Sequence, residues 1–359
     1  MLRKTFKGLG LFLLFAICAF FLWPQKKYRP HEVSANFQAQ VDSFNLPDMP
    51  ADWSWEFFTA KDGTKLRWGE TGNSGAAKAS VLIIPGYTAT LRMYGEQVDD
   101  LARRGYHVIG IDLRGQGGSE RHDPKQPEKL WAKDFSVYSN DVAEFIQSLP
   151  QTGRPFIPIA SSFGGHVALR MVGDHAGIVD GLYLLAPAIE PAAGNMSFGQ
   201  ALGFMKLGRS LGKGNRYLTG SDNWSPFQED LSVANIDMCS SDSTRLPARD
   251  VVFTRYPEER VGGITYQYGS TFFESSLYIR GDGYLETIDV PMTMVSAQVD
   301  HFVMTEVNQK SCDSRFPDCQ RLDIAGAGHC LFQESNNMLA QMYDGLDELL
   351  ERVVKLTLD

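Results

Sequence analysis

The sequence lacks the spacings by which side chains gather a metal: its five cysteines and seven histidines form neither a C-x-x-C nor an H-E-x-x-H pattern. A zinc site and a redox dithiol are therefore not expected, and no cofactor is called for. Internal repeats and low-complexity tracts are absent as well, which excludes a solenoid and an extended disordered chain. Positive charge is scarce outside the first residues. Residues 1–31 carry six basic side chains and no acidic one, and removing those six from the formal charge of −9 leaves −15 on the remainder. So acidic a body repels a phosphate backbone, and a nucleic-acid partner is not expected. With 43% hydrophobic and 21% charged residues, the 359-residue chain suits one large domain carrying an insertion.

What the chain does have is a serine set between small residues. Ala160-Ser161-Ser162-Phe163-Gly164, followed by Gly165, stands between a short apolar run, Pro155 to Ile159, and an apolar helical stretch, Gly165 to Val172. That is the layout of a nucleophile elbow, in which a strand turns sharply into a helix and lifts a hydroxyl into a cleft. The nucleophile needs small residues two positions away on both sides. Ser162 has Ala160 and Gly164, whereas Ser161 would have Ile159 and Phe163. An ordinary Ser/Gly helix cap looks much the same, so the partners decide.

A serine nucleophile on a parallel sheet finds its acid and then its base downstream, each on a loop after a strand. Val290 to Ser296 reads as a buried strand with Asp300 just past its carboxyl end. Arg321 to Ile324 reads as another short strand, followed by the glycine-rich Ala325-Gly326-Ala327-Gly328-His329. Asp300 is thus the expected orienting acid and His329 the expected base. His301 adjoins that acid and Asp323 lies within a strand, which makes both poorer choices. Upstream, the strand Ser80 to Ile84 ends at Pro85-Gly86-Tyr87-Thr88, a bend that exposes backbone N–H groups. The N–H groups of Tyr87 and Phe163 are the expected oxyanion donors. A further strand, Tyr106 to Ile111, leads into Asp112-Leu113-Arg114-Gly115-Gln116-Gly117. Without a Gly-Lys-Ser/Thr ending this is not a phosphate loop, and Arg114 is expected to brace the elbow loops.

These motifs, with Val299-Asp300 and Gly326-Ala327-Gly328-His329, resemble the bacterial lysophospholipase and monoacylglycerol lipase group of the α/β-hydrolases over residues 50–355. Arg260-Val261-Gly262-Gly263-Ile264-Thr265-Tyr266 is similar to the lid of the bacterial lysophospholipases. Ala160 stands where that family usually has glycine, and Pro85 where it commonly has histidine; neither change removes a catalytic side chain. The resemblance implies a serine hydrolase that cleaves carboxylic esters of lipids through an acyl-enzyme, with a lysophospholipid as substrate and no cofactor or metal. A monoacylglycerol lipase or a proline-releasing peptidase is the alternative on the same fold. For the peptidase, Glu229, Asp230, Asp250, Glu258 and Glu259 are available to bind a substrate amine. A non-catalytic, membrane-anchored binding protein is the alternative of another class.

Strands alternate with helical stretches, Tyr94 to Arg104 and Val137 to Leu149 among them, from residue 80 to about residue 188. The expected fold is therefore α/β, the α/β-hydrolase fold: a mostly parallel sheet with helices on both faces. Alternation stops after Gly181 to Leu185 and resumes at Val290, so residues 189–287 are expected to form a helical cap. Some of its aromatic side chains should line an apolar slot over Ser162. The hydrolase domain is expected at 51–355, closed by an amphipathic helix from Met338 to Val354, and residues 31–50 are expected to be a linker, irregular from Asn36 to Pro50.

At the amino terminus, Arg3, Lys4 and Lys7 precede an uncharged, mostly apolar run from Gly8 to Trp23, sixteen residues ending at Pro24. A comfortable membrane span takes about twenty residues, and a signal-peptide core fewer than sixteen. The only small-x-small site, Val33-Ser34-Ala35, lies beyond three more basic residues. Residues 1–30 are therefore expected to be an uncleaved anchor in a bacterial inner membrane rather than a removed signal. Three basic residues on either side leave its orientation open. Cys312 and Cys319 are close enough for a short disulfide, which favours the periplasm over the cytoplasmic face; Cys239 and Cys330 read equally well as small apolar fillers. Nothing in the pattern sets the oligomeric state.

Overall fold

The computed structural model describes residues 27–71, 75–231 and 239–358. Among them, strands β1 (Ser54–Thr59), β2 (Lys65–Thr71), β3 (Ala79–Ile84), β4 (Tyr106–Ile111), β5 (Phe156–Ser161), β6 (Leu182–Leu185), β7 (Met292–Val299) and β8 (Cys319–Gly328) form one sheet. Its order is β1-β2-β4-β3-β5-β6-β7-β8. The pairs β1–β2 and β2–β4 are antiparallel and the rest parallel. Central parallel strands are covered on both faces, which is why they read as unbroken apolar runs. Every residue of β3 and β4 is buried. Val81, Leu82 and Ile84 are wholly inaccessible, and each such side chain contributes roughly 1.5–3 kcal/mol by leaving water.

The helices are α1 (Ala35–Ser43), α2 (Gly95–Arg103), α3 (Ser136–Ser148), α4 (Phe163–Asp174), α5 (Phe198–Gly208), α6 (Ala248–Arg255), α7 (Tyr266–Arg280), α8 (Thr305–Ser314) and α9 (Asn336–Leu358). On one face α2 and α9 lie together, joined by Arg104 to Asp344 and Asp347; α3 and α4 pack on the other. Because β3, β5, β7 and β8 run parallel, the loops after their carboxyl ends converge on one edge of the sheet.

The connection from β6 to β7 carries α5, α6 and α7. Ser197 and Gln200 form a capping box at the start of α5, and the Thr265 hydroxyl accepts from Tyr268 N at the start of α7. A buried ionic network fastens this segment to the sheet. The Arg67 guanidinium on β2 donates to Asp112 at 2.7 Å and to Glu259 at 2.5 Å, while Glu259 also accepts from Thr90 at 2.6 Å and Arg92 at 2.7 Å. Burial alone would raise the Glu259 carboxyl, but these donors outweigh it and hold it below the usual carboxylate range.

Three expectations are corrected. The stretch Asn36 to Pro50 is irregular only from Phe44 on: Ser34 caps α1 through Phe37 N at 3.1 Å, and Phe37 and Val41, one turn apart, bury completely against Val251. Arg114 does not brace the elbow loops; it donates to both carboxylate oxygens of Asp141 on α3 and to Asp62 and Thr64 in the β1–β2 turn. The expected membrane anchor is not found among the described residues. Residues 1–26, with the run Gly8 to Trp23, lie outside the described residues, and among the described residues no helix is long and apolar enough to cross a membrane. The longest, α9, has 23 residues but sets Leu339, Met342, Leu346 and Leu349 into the core and carries Asp344, Asp347, Glu348 and Glu351 elsewhere on its surface. The placement in an inner membrane with a periplasmic catalytic domain is therefore withdrawn.

Candidate active site

Strand β5 ends at Ser161 and α4 begins at Phe163, so Ser162 alone makes the turn, at φ 52° and ψ −116°. Such a backbone costs of order 1–3 kcal/mol and persists only where its surroundings hold it. Here Ser162 N donates to Leu185 O at 2.8 Å, and Ser162 O accepts from Ala188 N at 2.9 Å and His166 N at 3.1 Å. The small neighbours are required by close approach. A Cβ at Gly164 would lie 2.4 Å from Ile84 O and 2.5 Å from Pro85 O, and one at Gly165 would lie 2.8 Å from Pro187 Cβ. Ala160 fits in place of glycine because it is still part of the regular ladder, opposite Ile84 and Leu184.

His329 stands directly after β8. Its Nε2 is 2.7 Å from Ser162 Oγ and its Nδ1 is 2.7 Å from Asp300 Oδ2. The other oxygen of Asp300 accepts from Phe302 N at 2.8 Å and Val303 N at 3.1 Å, and the carboxylate is wholly shielded from water. The rivals lie elsewhere: His301 is exposed, and Asp323 is occupied by Gln309 and Arg321. Strand β8 runs further than the sequence suggests, through Gly328, because pairing with β7 resumes at Val299 after a bulge.

The loop after β3 passes beside the serine. A Cβ at Gly86 would sit 3.3 Å from Ser162 Cβ and 3.9 Å from its Oγ, so a side chain at 86 would crowd the serine where the backbone passes on to Tyr87. Thr88, at φ 58°, donates its N–H to the Gln116 side chain at 2.7 Å, and the Tyr87 hydroxyl donates to Gly262 O at 2.8 Å. The Gly262 contact lies in the stretch that resembles a lid. Tyr268 of α7 stacks on Tyr87 at 5.7 Å, and Phe163 touches Tyr268 and Phe272 at 5.9 and 5.5 Å. Of the aromatic residues in the β6–β7 connection, Tyr268 and Phe272 are thus the ones beside the elbow. Trp224 packs instead on Phe253, while Phe204, Phe227 and Tyr278 face solvent. Among the described residues no group of His, Cys, Asp and Glu is arranged to hold a metal.

Sequence reasoning missed the residues that hold the histidine loop. Cys239 and Cys330 are not fillers; they pair, as do Cys312 and Cys319. The wholly buried Glu334 accepts from Gly328 N at 2.7 Å. Nothing in the spacing signals either, since Cys239 lies 91 positions from Cys330.

A mostly parallel sheet that turns through a strained serine into a helix, with an acid and a histidine delivered by later strands, defines an α/β-hydrolase. The chain matches, over residues 75–336, the family described as serine aminopeptidase, S33, and belongs to it. It is 27% identical over 242 residues to lysophospholipase L2 of Escherichia coli strain K12, covering 66% of this chain and 67% of that protein. It is 21% identical over 277 residues to a probable lysophospholipase L2 of Haemophilus influenzae, covering 77% and 84%. A soluble variant of monoglyceride lipase from Saccharomyces cerevisiae superposes with a TM-score of 0.66 at 17% identity, over 87% of this chain and 97% of that one. At that identity the likeness is one of fold.

Proposed function

We propose that this protein hydrolyses the single acyl ester of a lysophospholipid through a serine acyl-enzyme. At the level of class it is a carboxylic ester hydrolase. The observation that supports the finer reading is the hydrogen-bonded row from Ser162 through His329 to Asp300, 2.7 Å at each step, on a serine at positive φ. In this reading His329 Nε2 takes the Ser162 proton as Oγ attacks the ester carbonyl, and Asp300 fixes the imidazole tautomer and stabilises the imidazolium. The carbonyl oxygen gains its negative charge between the N–H groups of Tyr87 and Phe163. Collapse breaks the bond to the glycerol oxygen, which leaves with the proton from His329. Water, deprotonated by the same imidazole, then releases the fatty acid and restores Ser162. Residues 51–355 are the hydrolase domain in this reading and 189–287 its cap, with Tyr268 and Phe272 as an apolar wall beside the acyl chain.

A monoacylglycerol offers the same ester with a different head group; the relatives named lysophospholipase favour the phosphorylated one. The peptidase alternative needs a free carboxylate for the substrate amine. Glu259 is already occupied by Arg67, Thr90 and Arg92, and Asp250 by Trp224, Phe227 and Arg249. The test is turnover of a lysophospholipid, a monoacylglycerol of equal chain length and a proline amide by wild type and Ser162→Ala. The lysophospholipid should be cleaved fastest, and the variant should lose up to about 10⁶-fold in kcat. Faster cleavage of the amide, or a fully active variant, overturns the proposal.

A further inference from the structure

We propose that Glu334 and the Cys239–Cys330 disulfide are positioning residues for His329, which together clamp the histidine loop to the segment entering α6 so that the imidazole stays at Ser162. The inference rests on the reading of His329 as the base. His329 is flanked by the two residues through which the loop is held. On its amino-terminal side, Gly328 lies so close to the other segment that a Cβ there would be 2.5 Å from Cys239 O, and Gly328 N donates to Glu334 Oε1 at 2.7 Å. On its carboxyl-terminal side, Cys330 N donates to Cys239 O at 2.7 Å and the sulfurs of the same two residues are bonded. Glu334 closes the arrangement from beneath. It is wholly buried, and it binds both segments at once: Oε1 also accepts from Ser241 N at 3.0 Å, and Oε2 accepts from the Ser241 hydroxyl. Ser240 Oγ adds a bond to Gln333 O at 2.7 Å.

This arrangement serves the histidine more than the fold. The loop's own strand, β8, is the last of the sheet, paired on one side only, and β7–β8 pairing is already broken by a bulge one step before Gly328. The Asp300 and Ser162 bonds bear on the imidazole ring, not on its backbone. Beyond the single resumed pairing of Gly328 with Val299, backbone placement at 328–330 falls to Cys239 and to Glu334, which Ser241 holds in turn. Displacing a base by about 1 Å is enough to cost on the order of a hundredfold in rate, so release of the loop would show in chemistry before it shows in unfolding.

The two N–H donors both address Oε1, which gives a conservative variant with a definite outcome. Glu334→Gln keeps a carbonyl oxygen at that place and should retain most activity, whereas Glu334→Ala takes the shared acceptor from the Gly328 and Ser241 N–H groups and should lose roughly tenfold to a hundredfold in kcat, with KM little changed. A dithiol reductant breaks the Cys239–Cys330 bond, leaving two thiols and itself becoming a disulfide. It should lower kcat of wild type and of Cys312→Ser/Cys319→Ser alike, and should not lower further the already reduced kcat of Cys239→Ser/Cys330→Ser. The rate of labelling by a fluorophosphonate reads the Ser162–His329 pair whatever the natural substrate is, so it separates failure of this inference from failure of the lysophospholipase reading. Labelling that slows in Glu334→Ala, recovers in Glu334→Gln and falls on reduction, at temperatures well below unfolding, supports the clamp. Unchanged labelling in both Glu334→Ala and the Cys239→Ser/Cys330→Ser variant, or a loss that tracks unfolding alone, overturns it.

Discussion

Lowering the pH from 8 to 5 should weaken this protein through one buried imidazole. His166 lies on α4 one turn after Ser162 and is wholly inaccessible. Its Nδ1 is 3.0 Å from Ala188 O and its Nε2 is 2.8 Å from the Ser275 hydroxyl. One tautomer satisfies both, with Nδ1–H donating to the carbonyl and Nε2 accepting from the hydroxyl. A second proton would have to displace that hydroxyl hydrogen on a Ser275 oxygen that already accepts from Arg170 at 2.8 Å. Burial, helped by the charges of Arg170 and Arg280 and opposed by the Ala188 carbonyl, pushes the imidazole from 6.5 down to about 3. Between those values the unfolded chain binds a proton that the folded chain refuses, so stability is full above 6.5 and falls as the pH drops toward 3. Those two values give a loss of about 2 kcal/mol between pH 8 and pH 5.

Other groups contribute as well, some with the opposite sign: burial raises the carboxyls of Asp112 and Asp141, which favours the folded state on acidification. The comparison must therefore be with a variant that removes His166 alone. His166→Asn keeps an N–H for Ala188 O and has nothing to protonate. Urea unfolding of both proteins at pH 8 and pH 5 should show the wild type losing about 2 kcal/mol more than the variant. An equal loss in the two would refute the argument, whatever the absolute stabilities.

Removing the negative charge of Glu259 by Glu259→Gln should destabilise the protein by about 3–5 kcal/mol, since it leaves the buried Arg67 short of a partner; a thermal midpoint within a degree of wild type would contradict this. Gly164→Ala should cost about 1–3 kcal/mol and slow fluorophosphonate labelling, because the carbonyls of Ile84 and Pro85 that the new Cβ meets are backbone and cannot swing aside. Gly203→Ala on α5, where nothing lies within 4 Å of an added Cβ, should instead leave labelling unchanged and stabilise by up to about 1 kcal/mol. Urea midpoints of the two glycine variants check the contrast.

The part of the site that spacing exposed is the part built from local geometry. An elbow needs small residues two positions either side of its serine, so Ala160 and Gly164 mark Ser162 in a short window; Asp300 follows the apolar run of β7, and His329 ends the glycine-rich stretch that closes β8. The central strands were legible for the same reason, since covering both faces leaves no polar alternation to misread. What stayed hidden depends on pairs far apart along the chain. Arg67 meets Glu259 across 192 positions and Cys239 meets Cys330 across 91, and no local pattern ties one to the other. Even α1 belongs to this group: its apolar pair, Phe37 and Val41, is too sparse to announce a helix until Val251 supplies the surface that buries it. The division is physical. The proposed reacting groups can be read locally because strand, turn and loop place them in sequence order, whereas the β6–β7 connection is joined to the rest of the fold by charges and sulfurs whose partners only folding brings together. Head-group preference should therefore respond to loss of the Arg67–Glu259 tie, which unlike the Cys239–Cys330 bond does not touch the histidine loop, while the Ser162–His329 pair does not; turnover of a lysophospholipid relative to a monoacylglycerol in Glu259→Gln, set against an unchanged fluorophosphonate labelling, would measure that separation, and equal losses in both would show that the β6–β7 connection and Ser162 respond as one unit.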